Sequence, residues 1–220
     1  LNLSRVCNTV GSVAVTQRAL SDAYQFATQR HAFGKPLIEQ PLMRRQFDIR
    51  LDLAQKAFAL AWETLQVFST VWMERAGAYS DEFHLFRLLV HLAKYWTAEI
   101  AVQAAKWSME VHGGIGTLAE YGIERQLREA MIADIWEGPP HRQMLDGLEV
   151  MERRAAHHML LNYLAPYADA EAARDLRERI DAHLRLSQYD KEAGIEPLFL
   201  ELAQFVGAAC ERKLAARVQP

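Results

Sequence analysis

Apolar residues recur every three to four positions along most of the 220-residue chain, and the strict alternation typical of a strand is nearly absent. The first periodic segment covers residues 5–30, the second about 40–76 and the third about 81–112. Gly77 is predicted to end the second helix, and Ser80 to cap the third. This pattern predicts three long helices before the middle of the chain.

The second half of the chain continues the helical pattern in shorter pieces. We expect a short helix over 120–129, one helix over 141–164, an exposed amphipathic helix over 169–186 and a last helix over 197–216. The predicted buried residues of the last helix are Leu198, Leu202, Phe205, Val206 and Leu214. Short loops between long helices favour an all-α, antiparallel four-helix bundle over 1–164. Beyond Pro166 the composition becomes rich in Ala, Arg, Asp and Glu, so 165–220 is predicted to be a helical extension packed on the bundle.

Composition narrows the class of protein. The net charge of −3 gives no general attraction to nucleic acid or to anionic membranes. Cys7 and Cys210 lie at opposite ends without a CxxC pair, which argues for a reducing compartment and against a disulfide framework or a metal site. No apolar run of about 18 residues is evident, so we expect a cytoplasmic protein without a membrane span. A start at Leu1 rather than Met suggests a processed or cut fragment.

The first break between helices, over 30–40, contains an arginine beside a glycine turn. The guanidinium of Arg30 can bind a diphosphate with two hydrogen bonds. An ordinary helix end, with Arg30 interacting with the helix dipole, explains the same residues. This motif alone leaves both interpretations open.

Two further breaks carry residues suited to a cofactor site. Gly113 and Gly114 allow backbone N–H groups to approach an anion closely, although glycine pairs also end many helices. Glu137 follows Trp136 in a loop between helices, where a partly desolvated carboxylate can act as a base. A surface glutamate before a turn is the simpler explanation of that residue.

The order and content of these breaks together resemble the acyl-CoA dehydrogenase family over roughly residues 1–155. The matching segments read QRHAFGKPL at 29–37, VHGGIG at 111–116, RQLRE at 125–129 and IWEG at 135–138. Within the family the chain is most similar to the branch of adaptive-response, alkylation-damage flavoproteins. The tract 30–43, Trp136 in place of the usual Tyr, and the helical extension carry this closer likeness.

The resemblance implies an FAD-dependent oxidoreductase that removes hydrogen from the α and β carbons of an acyl-CoA thioester. Arg30 and Phe33 match positions that contact the FAD of a neighbouring subunit, and Gln40 matches a position near its adenine end. Gly113 and Gly114 match the turn beside the diphosphate. Glu137 matches the base that removes the α-proton. Family members are usually homotetramers, so a homodimer or homotetramer is expected.

The resemblance also implies that parts of the enzyme lie outside this chain. Family members carry an N-terminal helical domain and a β-domain that supplies most of the flavin pocket. We therefore expect the isolated chain to bind FAD weakly and to lack turnover. Pro139 and Pro140 stand where the family usually has Thr or Ser after Glu-Gly.

Two alternative functions remain at this point. The chain could be a DNA- or stress-associated binding module, in which Arg153, Arg154, Arg174, Arg177, Arg179 and Arg185, with His157 and His158, form a basic patch. Interleaved acids such as Asp175 and Asp181 instead favour a solvated face of mixed charge, so DNA binding is not the preferred interpretation. A purely structural oligomerisation bundle is the third possibility.

Overall fold

The computed structural model describes residues 2–73 and 80–218, and helices dominate them, which confirms the predicted all-α class. The α-helices in these residues are α1 (Asn2–Gln29), α2 (Pro41–Met73), α3 (Asp81–His112), α4 (Ile123–Ile135), α5 (Pro140–Arg154), α6 (Ala156–Leu164), α7 (Ala170–His183) and α8 (Gln188–Val218). Strands β1 (His31–Ala32) and β2 (Lys35–Pro36) form a small hairpin. Short 3-10 helices occupy Leu37–Glu39, Gly113–Thr117, Ala119–Tyr121 and Ala165–Tyr167.

Aromatic contacts define the directions of the first three helices. Tyr24 near the end of α1 packs edge to face on Phe47 near the start of α2, and Phe47 packs in the same way on Trp107 near the end of α3. At the opposite end, Phe68 of α2 contacts Phe86 of α3, with ring centroids 5.6 Å apart. Helices α1 and α3 therefore run in one direction and α2 in the other, as in an antiparallel bundle.

Hydrogen bonds between α1 and α4 show that α4 also runs against α1. Gln126 near the start of α4 donates to Asp22 (2.6 Å), whereas Asn8 donates to the carbonyl of Ala133 near the end of α4 (2.8 Å). The four helices thus alternate in direction along the chain.

Helix α3 lies at the centre of the bundle. Every residue from 88 to 98 is buried, and a helix that is buried on all sides belongs to a core rather than to a surface. His91, Lys94 and Thr97 are the polar residues of this stretch. The Thr97 hydroxyl donates to the carbonyl of Ala93 within α3, whereas His91 and Lys94 form hydrogen bonds with residues outside α3.

The bounds of the long helices agree closely with the prediction. Helix α3 covers the predicted residues, and the Ser80 hydroxyl accepts a hydrogen bond from the N–H of Phe83. Helix α1 begins at Asn2, three residues earlier than predicted, and α2 begins at Pro41 and is described to Met73. The predicted stop at Gly77 lies outside the described residues.

Two predicted helices have different limits. The helix expected over 141–164 is broken at Ala155, whose φ of +49° turns the chain so that the apolar face of α6 reaches the core. Alanine is the best helix former, so periodicity could not reveal this break. The helix expected over 120–129 instead begins after Gly122, which has φ +69°, and continues to Ile135.

The C-terminal helices share the main core. Asp169 caps α7 by accepting from the N–H of Ala172, and α8 begins at Gln188, before Pro197, which lies inside it. Of the predicted buried set, Leu202 and Val206 are fully buried, while Leu198, Phe205 and Leu214 are partly buried. Phe199, which was not predicted, is also fully buried and packs on Tyr95 of α3. The division of the chain at residue 165 stays a prediction.

Helix α8 meets the length and composition criteria for a membrane span, although no long apolar run was expected. Its residues Gln188–Arg217 include an 18-residue window with a mean hydropathy of 1.2. The buried helices of non-membrane proteins meet the same criteria, and Phe199, Leu202 and Val206 pack here into the protein core. The length and composition of α8 are therefore weak support for a membrane span.

Candidate active site

The corner between α4 and α5 contains the predicted base. Trp136 ends α4 in an extended conformation, and Glu137 (φ +61°) and Gly138 (φ +105°) then reverse the chain. Pro139 is the N-cap of α5 and Pro140 its first residue, a position that tolerates proline because its N–H has no helical partner. The two prolines therefore start a helix directly after the base. We call residues 136–138 the Glu137 corner.

Three side chains from other helices hold the backbone of the Glu137 corner. Arg5 Nε of α1 donates to the Glu137 carbonyl at 3.2 Å. Gln143 Nε2 of α5 donates to the carbonyls of Glu137 and Gly138 at 3.0 and 2.9 Å, and Lys94 Nζ of α3 donates to Gly138 at 2.8 Å. A non-glycine residue with positive φ persists only where its surroundings enforce it, and here three buried side chains do so.

A buried ion pair and a neutral histidine complete this support. Arg5 Nη2 lies 3.0 Å from Asp146 Oδ2, and Arg142 lies 2.7 Å from the other oxygen of the same carboxylate. Burial lowers the pKa of His91 to about 4, so its imidazole is neutral near neutral pH. Its Nδ1 lies 3.0 Å from Gln143 Oε1, which requires an N–H on that nitrogen and leaves the Gln143 amide nitrogen free to reach the corner.

Lys94 places a cation behind the Glu137 corner. Its side chain is fully buried and also donates to the carbonyl of Asp134. Burial lowers the pKa of Lys94 to about 8, partly offset by the nearby carboxylates of Asp134 and Glu137. Sequence reasoning missed Arg5, Lys94 and Gln143. The one available signal was a lysine inside an otherwise largely apolar stretch of α3.

The first predicted motif forms an exposed hairpin. Ala32 pairs with Lys35 across a two-residue turn made by Phe33 (φ +53°) and Gly34 (φ +84°). Two consecutive residues with positive φ are typical of a type I′ turn. Gln40 Nε2 donates to the Ala32 carbonyl at 3.1 Å, so this amide braces the hairpin. Arg30 is exposed and Phe33 is 95% exposed. We call residues 31–36 the Phe33 hairpin.

The double-glycine bend lies close to the base of the Phe33 hairpin. Gly113 (φ +65°) ends α3, and a Cβ added at Gly113 or Gly114 would meet no atom within 4 Å. This backbone is therefore open to the approach of a ligand. His112 stacks on Phe26 with ring centroids 4.5 Å apart, which joins the end of α3 to the last turn of α1.

The acidic residue beside this bend is already paired. Glu110 forms an ion pair with Lys106, one helical turn earlier, and both side chains are largely exposed. The negative charge of Glu110 beside the bend is therefore partly compensated by a cation within the same helix.

Within one chain the structure brings together two of the three motifs. The Phe33 hairpin and the double-glycine bend lie at one end of α1 and α3, whereas the Glu137 corner contacts Arg5 and Lys94. Lys94 and Gly113 are 19 residues apart on one continuous helix, a separation of about 28 Å at 1.5 Å per residue. A single site that contains Arg30, Phe33 and Glu137 therefore requires a second chain, and it stays a prediction.

Several arginines of the predicted basic patch contact local acceptors. Arg153 pairs with Glu149 at 3.3 Å, and Arg179 pairs with Asp175 at 2.8 Å and also with Glu201. These contacts are those of a solvated face with mixed charges, and they favour that interpretation over a basic patch for DNA.

A large cavity lies away from the predicted site residues. It has a volume of about 760 Å³ and opens between α1, α2 and α8. Its walls are mainly apolar, with Leu20, Tyr24, Phe58 and Leu214 among them, and Glu211 is its one charged residue. The cavity therefore offers little acid–base chemistry.

Comparisons with known proteins indicate which family of proteins includes this chain. AidB of Escherichia coli (strain K12), which is named as an acyl-CoA dehydrogenase, is 36% identical over 162 residues, 73% of this chain. The chain spans only 28% of the length of AidB.

Solved structures give the same fold. The apo form of Bd2924 superposes with a TM-score of 0.87 at 27% identity, over 97% of this chain and 42% of Bd2924. An acyl-CoA dehydrogenase from Bacillus anthracis, solved with FAD, has a TM-score of 0.75 at 20% identity over 96% of this chain and 40% of its own. The family model for the C-terminal domain of acyl-CoA dehydrogenases matches residues 1–152. A match over this much of the chain, together with the Glu137 corner and the double-glycine bend, means that the chain belongs to the acyl-CoA dehydrogenase family.

Proposed function

We propose that this chain is the base-bearing and flavin-facing helical part of an oxidoreductase that dehydrogenates acyl-CoA thioesters between their α and β carbons. The observation that carries the proposal is the Glu137 corner. Its carboxylate stands on a strained backbone whose carbonyls are held by Arg5, Lys94 and Gln143. Such support is typical of a functional side chain that must keep one orientation.

The proposed role of Glu137 is to accept the α-proton of the thioester. The residue is half-buried beside exposed Trp136, so a substrate that covers both side chains would also exclude water from the carboxylate. Removal of water strengthens a carboxylate as a base. Lys94, behind the corner, places a cation close enough to the Glu137 carboxylate for the two charges to interact.

FAD is the cofactor that we propose for the complete site. When bound, it accepts the β-hydrogen as hydride. The open backbone at Gly113 and Gly114 fits a diphosphate, since no side chain fills the space where a Cβ would stand. The exposed Arg30 guanidinium fits the same group, and exposed Phe33 fits an aromatic or apolar surface of a neighbouring subunit.

The complete enzyme is proposed to need more than this chain. The matched relative is more than three times as long as the matched segment. Because the Phe33 hairpin and the Glu137 corner are far apart in one chain, we propose a homodimer or homotetramer that brings them to one flavin. We also propose that the protein is cytoplasmic.

We propose that residues 1–220 alone bind FAD weakly. Tight binding of one FAD per chain by this segment would contradict the proposal.

The experiment that tests the role of Glu137 is the Glu137→Gln substitution in the protein that carries this chain. We expect acyl-CoA to reduce the bound flavin about 10²- to 10⁴-fold more slowly, the range of a lost general base. Glutamine keeps the size of the side chain and leaves the backbone hydrogen bonds of the corner in place. Stopped-flow absorbance without oxygen measures the rate.

The matched control is Glu120→Gln, which removes an exposed carboxylate from the 3-10 turn Ala119–Tyr121. This variant should reduce at the unmodified rate. Equal rates for Glu137→Gln and the unmodified protein would remove Glu137 from the proposed role.

A further inference from the structure

His157, His158 and Asp181 form a cluster of potential metal ligands where α6 meets α7. His157 Nε2 lies 2.9 Å from Asp181 Oδ1, and His158 Nε2 lies 2.8 Å from the same oxygen. One ligand atom from each of the three residues lies within 4.8 Å of the other two. No metal site was predicted here from the sequence. Asp181 is 23 residues from His158, and only the fold brings the two side chains together.

The two imidazoles reach one point although they are neighbours in the sequence. Consecutive residues on a helix point about 100° apart, so adjacent histidines normally diverge. Here the rings are perpendicular, with centroids 4.4 Å apart, and both Nε2 atoms face Asp181. The turn at Ala155, with φ +49°, begins α6 just before them and sets this arrangement.

The charges of His157 and Asp181 suit metal binding, in which the metal would displace the proton that Nε2 donates to Asp181. His157 is 1% exposed, and burial lowers the pKa of its imidazole, which favours the neutral form that binds metals. Burial raises the pKa of Asp181, but hydrogen bonds from the two histidines outweigh it and lower the pKa overall, so the carboxylate is ionised. The buried His157 Nδ1 has no hydrogen-bond partner, so the contact between Nε2 and Asp181 is the polar anchor of the ring.

We propose that His157, His158 and Asp181 bind a divalent transition metal ion such as Zn²⁺, with water at the remaining position. Two imidazole nitrogens and one carboxylate oxygen suit zinc, cobalt or nickel rather than magnesium or calcium. Ligand atoms around a tetrahedral zinc ion lie about 3.3 Å apart, so the 2.8 and 2.9 Å separations need to open by about half an ångström. The partly exposed side chains of His158 and Asp181 provide the entry path.

One nearby cation opposes the added charge. The Arg177 guanidinium lowers the pKa of His157, and its Nη2 donates to the side-chain oxygen of Asn162 at 2.6 Å. Arg185 contacts only the backbone carbonyl of Asp181 among its described hydrogen bonds. The metal would link α6 of the predicted bundle to α7 of the predicted extension, and binding to the folded state would stabilise that junction.

The test is a calorimetric titration of the metal-free protein that carries this chain with Zn²⁺, with Co²⁺ absorbance as a report of coordination. We expect one zinc ion per chain. His158→Gln and Asp181→Asn should each weaken zinc at least tenfold and change the Co²⁺ spectrum. Both residues are partly exposed, so these variants should fold, which circular dichroism checks.

His141→Gln is the matched control, because it removes an exposed imidazole of α5 from outside the cluster. This variant should bind zinc with the affinity of the unmodified protein. Zinc should raise the Tm of His141→Gln and of the unmodified protein, but not the Tm of Asp181→Asn. The proposal is overturned if the unmodified protein binds no zinc. It is equally overturned if the double variant of His158 and Asp181 binds zinc with unchanged affinity.

Discussion

The Glu137 corner and the Phe33 hairpin have the same backbone feature and opposite surroundings. Each contains a non-glycine residue with positive φ followed by a glycine with positive φ, at Glu137-Gly138 and Phe33-Gly34. Buried side chains from α1, α3 and α5 hold the corner. The hairpin is held by its own short ladder and by Gln40, and Phe33 is 95% exposed.

This difference indicates how each segment is suited to its role. The corner is enforced by distant parts of the same chain, so its shape does not depend on a partner. The hairpin is formed locally and presents an aromatic ring to solvent, where another surface could cover it. The chain thus fixes the shape of the corner by itself, whereas the hairpin presents the surface that we propose for a neighbouring subunit.

The largest expected effect comes from removing the ion pair below the Glu137 corner. Arg5→Leu takes away the buried one of the two arginine partners of Asp146, and a donor to the Glu137 carbonyl. Breaking a buried pair from one side costs about 3–5 kcal/mol of unfolding free energy. Urea denaturation of the protein measures the change.

Arg18→Leu is the matched control, since it removes an Arg–Asp pair on the same helix whose arginine side chain is 72% exposed. Its effect should be much smaller, because exposed pairs are screened by water. Equal losses in the two variants would show that the buried Arg5–Asp146 pair stabilises the fold no more than an exposed pair does.

Lys94→Met should have the next largest effect. It removes a donor from the carbonyls of Asp134 and Gly138 and should lower the free energy of unfolding by about 2–3 kcal/mol. Gln143 still donates to Gly138, so the loss should be smaller than for Arg5. Urea denaturation near neutral pH gives this value.

The pH dependence of Lys94→Met provides a second measurement. Burial lowers the pKa of Lys94 from its ordinary 10.5 to about 8, so between these values the unfolded state binds the proton more tightly. The contribution of Lys94 to stability therefore rises with pH from about 8 to 10.5, and is lost as pH falls through 8. The variant should lack this rise. An identical pH profile in both proteins would contradict a buried lysine at this position.

The smallest expected effect is a gain of stability at the hairpin. Phe33→Asn places a residue that tolerates positive φ in the type I′ turn and should raise the unfolding free energy by about 0.5–1 kcal/mol. The same substitution should weaken self-association of the protein that carries this chain, measured by sedimentation. A variant that loses stability and keeps its assembly would show that Phe33 serves the fold rather than a partner.

Much of the fold could be predicted because helical periodicity and capping act over short distances. The limits of α3 and the cap at Ser80 follow from neighbouring residues. The break at Ala155 could not be predicted in this way, because its left-handed turn is required by the packing of α6 and not by its own side chain.

The sequence by itself determined the all-α class, the family likeness and the motifs around Glu137, Phe33 and Gly113. Only the tertiary structure showed that Arg5, Lys94 and Gln143 hold the Glu137 corner, and that His157 and His158 meet Asp181. Periodicity reports which face of a helix is apolar, whereas the partner of a buried polar group is decided by which distant helix packs against it. For that reason the local motifs could be predicted from the sequence, and the groups that support them could not.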